Sequence, residues 1–214
     1  GFLARFFIQD ERVPARINPL VKKEEKVSFG PLVDSLKEIS KVNLAGSIRR
    51  RKETIRDIDI LACSNNAKQI MDFFTSMKDI KEVLMKGTTK SSIILNNNVQ
   101  VDLRVVDKNS YGSALQYLTG SKQHSIELRK IAIKKKLKLS EYGVFKGNKK
   151  IAYKTEEEVY RSLGLRYIEP ELRENNGEIL AAAKNKLPKL VKLEDIKGDT
   201  HVHSNWSDGI AAIE

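Results

Sequence analysis

Gly46-Ser47-Ile48-Arg49-Arg50-Arg51-Lys52-Glu53-Thr54-Ile55-Arg56-Asp57-Ile58-Asp59-Ile60-Leu61 is the stretch from which the rest of this chain can be read. It opens on a small Gly-Ser turn, runs through four consecutive basic residues and closes on two acids set in an aliphatic run. In a β-strand, residues i and i+2 share a face. A strand over Asp57–Ala62 therefore carries Asp57 and Asp59 side by side, with Ile58 and Ile60 turned the opposite way. Two adjacent carboxylates repel, and a cation between them resolves the repulsion. Hard oxygen ligands on a rigid strand suit Mg2+, which takes one or two carboxylates together with substrate phosphates. The Gly46-Ser47 turn and the basic run supply donors for such phosphates.

An acid-aliphatic strand is also the pattern of a plain solvated edge. A third carboxylate weighs against that reading. Val99–Val106 is strongly β-branched, and within it Asp102 shares a face with Gln100 and Arg104. If this strand pairs beside the first, three carboxylates converge. That arrangement suits two-metal phosphoryl transfer, in which the ions lie about 3.5–4 Å apart.

Gly46-Ser47, the Arg50 region, Asp57-x-Asp59 and Asp102 resemble the nucleotidyltransferase palm of the X-family (β-like) DNA polymerases. The Gly-Ser…Asp-x-Asp element alone is shared by a wide superfamily that includes poly(A) and CCA-adding enzymes. A second match narrows it. Tyr117-Leu118-Thr119-Gly120-Ser121 resembles the Tyr-Phe-x-Gly-Ser turn of the X-family thumb, with Leu118 where the family has Phe. The resemblance implies that Tyr117, Leu118 and Gly120 line the nucleotide sugar. It also implies that Ser47 and Arg50, with Arg12 as a weaker match, contact the triphosphate. Lys122 and Ser125 stand where the animal enzymes carry Asp and Asn beside the base. Arg129 matches the family Arg near the template strand, and Lys130 and Arg104 join it as candidate DNA contacts.

Composition agrees with a polyanionic partner. The 214 residues carry a formal net charge of +11, and 40% are hydrophobic, enough for a globular core. The single Cys63 excludes an internal disulfide. No apolar run approaches the length of a membrane span, and residues 1–11 lack the pattern of a signal peptide. A cytoplasmic (nucleoid) protein without membrane attachment, probing DNA as a monomer, is the expectation.

The chain divides accordingly. Residues 1–11 resemble the end of a preceding fingers domain, 12–109 a palm, 110–187 a thumb, 188–197 a linker and 198–214 the opening of a polymerase-and-histidinol-phosphatase (PHP) domain. An amphipathic helix is expected over Pro31–Ile39 and a strand over Val42–Ala45. A helix should run from Asn66 or Ala67 to about Met77, with Ile70, Met71, Phe73 and Phe74 as core. Strands near Ile80–Met85 and Ser91–Leu95 follow, with Asn96-Asn97-Asn98 as a hairpin turn before the Val99–Val106 strand. The palm is thus an α+β mixed sheet with helices on one face. Beyond it, helices over Ser110–Gly120 and Lys122–Lys136 precede short strands around Gly143–Tyr153. Thr155-Glu156-Glu157-Glu158 reads as a capping box, and short helices are expected over Pro170–Arg173 and Gly177–Lys184. His201, His203 and Asp208 match the first PHP metal motif. That site would take Zn2+ or Mn2+ only when completed by a domain body, so the chain is expected to be the middle of a longer polymerase.

The resulting expectation is a DNA-directed DNA polymerase that fills gaps in repair. Asp57, Asp59 and Asp102 hold two Mg2+ ions (or Mn2+), and the dNTP and primer-template or gapped DNA are the partners. The family mechanism implies that Asp102 favours deprotonation of the primer 3′-hydroxyl, which attacks the α-phosphate as pyrophosphate leaves. The rivals are a nucleotidyltransferase acting on RNA ends or a small molecule, and a non-catalytic basic DNA-binding fragment.

Overall fold

The computed structural model of the chain describes residues 39–198, 201 and 203–210. Arg12 and nearly all of the Pro31–Ile39 helix lie outside the described residues. Strand β1, Lys41–Leu44, leads into a four-residue helix α1, Gly46–Arg49, and then into β2, Asp57–Cys63. The expected Gly-Ser turn is thus the first turn of a helix. Helix α2, Ala67–Phe74, is capped by Asn66, whose side chain accepts from the Gln69 N–H. It ends short of the expected Met77, and Phe73 is only half-buried while Ile70, Met71 and Phe74 face the core. Strands β3 (Ile80–Lys86), β4 (Lys90–Leu95) and β5 (Gln100–Val106) complete a sheet of order β1-β2-β5-β4-β3. Asn98, with φ 63°, turns the β4–β5 hairpin in the left-handed region that Asn tolerates.

The sheet is mixed because β2 and β5 are parallel neighbours while every other pairing is antiparallel. Alternation decides what each face does. Ile58, Ile60 and Ala62 of β2 and Val101, Leu103 and Val105 of β5 turn towards α2, forming one core with Ile70, Met71 and Phe74. Burying each such side chain contributes roughly 1.5–3 kcal/mol, which locks the register. A slip of one residue would put the aliphatic set in water and the acids in the core.

The opposite face is acidic at one end and apolar at the other. Leu61 and Cys63 of β2 and Val106 of β5 pack against Tyr111, Ala114 and Leu115 of α3, Tyr111–Thr119. The Tyr111 hydroxyl donates to Asn43 Oδ1 at 2.6 Å, pinning α3 to the sheet. Gly112 has no side chain because Lys154 and Thr155 press against its backbone. Helix α4, Lys122–Lys134, follows, then a three-stranded sheet of β6 (Lys138–Ser140), β7 (Gly143–Lys146) and β8 (Lys149–Ala152). Helix α5, Glu156–Ser162, is capped by Thr155 as its sequence requires; Glu158, however, accepts from the Lys154 N–H rather than closing the box on Thr155. A 3-10 turn, Pro170–Leu172, and helix α6, Glu178–Ala183, end the second domain. Its core gathers Leu128, Ala132, Tyr160, Leu163, Ile168 and Ala182.

Candidate nucleotidyl-transfer site

Parallel pairing of β2 with β5 puts Asp59 directly beside Asp102, and Asp57 lies two residues away on the same face. The three acids stand at the open end of the sheet, beyond the apolar seam under α3. Asp59 is the most enclosed. Burial, then Asp57, then Asp102 push its carboxyl up from 3.8 to about 6, against the opposing pull of Lys90 and Arg50. Asp102 is braced on both oxygens: Gln100 Nε2 donates to Oδ1 at 2.9 Å and the Lys90 ammonium lies 3.4 Å from Oδ2.

Gly46 makes the close approach of α1 to these acids feasible. Its φ is +57°, and a Cβ there would overlap the Asp59 carboxylate. The Ala45 N–H also donates to the Asp59 carbonyl at 2.8 Å, so the turn is held against β2 by backbone as well. Ser47 follows, with its hydroxyl buried and without a hydrogen-bond partner among the described residues.

Among the described residues, no group of three or more His, Cys, Asp or Glu closes on a point as an all-protein metal cage would. The donor chemistry nevertheless fits Mg2+, because that ion keeps waters and takes substrate phosphate oxygens beside one or two carboxylates. Burial first, and then repulsion from Asp57 and Asp102, raise Asp59, as expected of an enclosed carboxylate set short of positive charge.

The basic run is placed differently from the expectation. Each member meets an acid of the second domain. Arg49 Nη1 donates to Thr119 Oγ1 at 2.6 Å and to Glu156 Oε1 at 2.9 Å, and its Nη2 to Glu156 Oε2 at 2.5 Å. Glu156 also accepts from Arg173 Nη1 at 2.7 Å, and Arg173 is fully buried beneath Tyr160 and Tyr167. Arg50 pairs with Glu174 at 2.8 Å, Arg51 with Glu171 at 3.0 Å, and Lys52 lies 3.7 Å from Glu174. The run is an interdomain clasp. For Arg49 and Arg50 the physical reason is burial, since guanidinium groups enclosed between two domains need carboxylate partners, whereas Arg51 and Lys52 pair at the half-exposed rim.

The turn after α3 comes to the same place. Thr119 accepts from Arg49 and its carbonyl from Arg50 Nη1 at 2.5 Å, and Gly120, at φ 68°, abuts the Arg50 guanidinium. Tyr117 is exposed, with the Arg129 guanidinium 5.4 Å over its ring, and Leu118 joins the seam with Leu61 and Cys63. Lys122 is exposed, whereas Ser125 is buried, its hydroxyl without a hydrogen-bond partner among the described residues. Arg104 does share the Asp102 face, yet its guanidinium is taken by the Glu141 carboxylate and lies 3.4 Å from the Tyr142 hydroxyl, so it too joins the domains rather than standing free for DNA. Lys130 sits on the surface, paired among the described residues with Glu127 on its own helix at 2.6 Å. In the tail, His203 bonds to Asp208 and lies 2.9 Å from His201, ring nitrogen to ring nitrogen.

Sequence reading did not find Glu156, Glu171, Glu174, Arg173 or Lys90. Glu156 was visible only as part of a cap. The available signal was a cluster of acids in an otherwise basic second half of the chain.

An acid triplet on a mixed sheet, a Gly-Ser turn against it and a second α+β domain clasped over one end define a nucleotidyltransferase palm with a thumb. Residues 114–174 match the DNA polymerase beta thumb family. The chain is 32% identical over 218 aligned positions to the DNA polymerase/3'-5' exonuclease PolX of Bacillus subtilis, covering 95% of this chain and 38% of that protein. It is 29% identical to a Repair DNA polymerase X of African swine fever virus, over 64% of this chain and 84% of the viral protein. It is also similar, at 28% identity over 77% of its length, to the DNA nucleotidylexotransferase of Monodelphis domestica. The polymerase beta of Leishmania infantum, solved as a ternary gap complex, shares the fold with a TM-score of 0.59 at 21% identity, over 68% of this chain and 66% of that one. Together these likenesses support an X-family DNA polymerase. It spans well under half the length of its Bacillus subtilis relative.

Proposed function

We propose that this chain carries the palm and thumb of a DNA-directed DNA polymerase that fills gaps in DNA repair. The observation that carries this reading is the register of Asp59 on Asp102 across parallel strands, with Asp57 beside them and the Gly46-Ser47 turn pressed against Asp59. Asp57, Asp59 and Asp102 would hold Mg2+, which supplies electrostatic stabilisation of the phosphoryl charge and activates the attacking hydroxyl. The chain's own residues bind and orient. Ser47, whose buried hydroxyl has no hydrogen-bond partner among the described residues, and Arg50, against Gly120 and within electrostatic reach of Asp59, are the triphosphate contacts. Tyr117, Leu118 and Gly120 form the wall for the sugar. Exposed Arg129 and Lys130 on α4 face the DNA. Gln100 and Lys90 hold the Asp102 carboxylate in place. Residues 198–214, with His201, His203 and Asp208, are read as the opening of a PHP domain.

The test is primer extension on a one-nucleotide gapped duplex with Mg2+ and dNTPs, using the parent protein, against a template-free tailing substrate. Templated gap filling supports the proposal, and tailing alone points instead to a terminal transferase. Asp102→Asn should lower the extension rate by several orders of magnitude while nucleotide binding is largely retained. Asp57→Asn or Asp59→Asn should weaken metal and nucleotide binding together. Extension by Asp102→Asn at near wild-type rate would return the acids to a solvated strand edge.

A further inference from the structure

Arg50 differs from its basic neighbours in what it joins. Its Nε donates to Glu174 Oε1 at 2.8 Å and its Nη1 to the Thr119 carbonyl at 2.5 Å, one residue before Gly120. Together with Lys90 it is a cation that acts on Asp59. Its Nη2 has no hydrogen-bond partner among the described residues. One guanidinium thus joins the turn after α3 to Glu174, within electrostatic reach of Asp59, with one donor group left over.

Glu174 is not on a swinging arm. On one side of it, Arg173 is fully buried, with Nε on the Ile168 carbonyl at 2.9 Å and Nη1 on Glu156. The Arg173 carbonyl accepts from the Ser121 N–H at 3.0 Å. On the other side, the Asn175 and Asn176 N–H groups donate to Glu178 at 3.1 and 2.8 Å, and Glu178 is itself held by the buried His124 at 2.6 Å. A residue whose chain neighbours are held on both sides is a fixed base for its carboxylate, which meets Arg50 and, at 3.7 Å, Lys52. A gate that yields to substrate would need slack in its loop.

We infer that Glu174 is the positioning residue for Arg50, holding its guanidinium so that Nη2 is presented to a phosphate oxygen of a bound polyphosphate. This rests on the triphosphate contact proposed above for Arg50. Planar guanidinium recognises phosphate by orientation as well as charge. A rotating Arg50 would lose the first and keep only the second.

The sign of the effect separates this from charge alone. Removing a carboxylate beside an anion site should tighten anion binding if only Coulomb attraction operates. Positioning demands the reverse. The probe is inorganic tripolyphosphate, titrated calorimetrically into the chain, with the melting temperature followed for every variant. Arg50→Ala and Glu174→Ala should each weaken binding about tenfold, equivalent to about 1.4 kcal/mol. Glu174→Gln, which keeps the acceptor, should stay near wild type. In the Arg50→Ala background, Glu174→Ala should add nothing, since it acts through Arg50. Glu171→Ala, whose partner Arg51 is more than half exposed, should leave binding unchanged. Tighter binding by Glu174→Ala, or unchanged binding with a lower melting temperature, would overturn the inference and leave the triphosphate reading standing. An Arg50→Ala variant that binds normally would overturn both.

Discussion

Asp59 is the residue at which enclosure and function conflict. Its carboxyl titrates near 6 because burial and two like charges outweigh Lys90 and Arg50. The folded state therefore binds more protons than the unfolded state between pH about 4 and about 6, and stability falls as pH rises through that window. Above it, the metal-free protein carries the full cost, of the order of 2–3 kcal/mol for a shift of this size. Asp59→Asn should thus raise the metal-free melting temperature at pH 7 by several degrees and flatten its pH dependence between 4 and 6. Mg2+ with a dNTP should stabilise the wild type and fail to stabilise this variant. Thermal melts across pH, with and without Mg2+, check both. A melting temperature that drops on Asp59→Asn would mean that the carboxylate is satisfied in a way the geometry does not provide.

Among the elements, α1 and α5 are tied by Glu156. Burial alone would raise its carboxyl, but Arg49 and Arg173 outweigh burial and hold it below the usual range. A depressed acid contributes stability above its unfolded value and loses it as pH falls through its folded value. Breaking one member of a buried charged set costs about 3–5 kcal/mol, because its partners are left unpaired. Glu156→Gln should therefore lower chemical-denaturation stability by that order and detach the basic run from the second domain, seen as faster amide exchange in Gly46–Arg50 and Thr119–Ser121. Its neighbour Glu157, exposed one position along α5, should tolerate Gln within about 0.5 kcal/mol. Equal losses in the two variants would remove the clasp as an explanation.

At the scale of the whole molecule, the net charge of +11 is not spread evenly in effect. Much of the basic run is neutralised internally, while Arg129, Lys130, Lys134, Lys135, Lys136 and Lys138 remain exposed on and just after α4. These should dominate DNA affinity. Each phosphate contact adds a slope of about −0.9 to log K against log salt, so binding to gapped duplex should fall steeply between roughly 50 and 200 mM salt. Charge reversal at Lys134 and Lys135 should flatten that slope, and the same change at Lys68, on α2, should not. Filter binding or anisotropy across salt measures this. The tail makes a contrasting prediction. His201, His203 and Asp208 are exposed and bond to one another, and a working zinc centre needs further ligands and supporting contacts. Calorimetry with Zn2+ should find only weak binding to this chain, and stoichiometric tight binding lost on His201→Ala would refute that.

What the sequence by itself determined is whatever follows from local periodicity and turn chemistry. Alternation in Asp57–Ala62 and Val99–Val106 set which residues are core and which are acid face. Asn96–Asn98 marked a hairpin and Thr155 a helix start, while Gly46 marked a change of direction that the structure makes as the first turn of a helix. Such features depend on neighbours a few positions away, so one-dimensional reading reaches them. Only the tertiary structure decided what the basic run does. Arg49 meets Glu156 and Arg50 meets Glu174 across 107 and 124 positions, and nothing local distinguishes a guanidinium aimed at phosphate from one aimed at a distant carboxylate. The same holds for Arg104, claimed by Glu141 rather than left open, and for Ser125, buried with His124, Leu128 and Ala132 on the inner face of its helix. Charge pairing is nondirectional in sequence, and burial between two domains selects the partner. The chemistry-bearing residues were therefore readable as types on a strand, while their partners, and hence their freedom to meet a substrate, were set by how the second domain closes on the first.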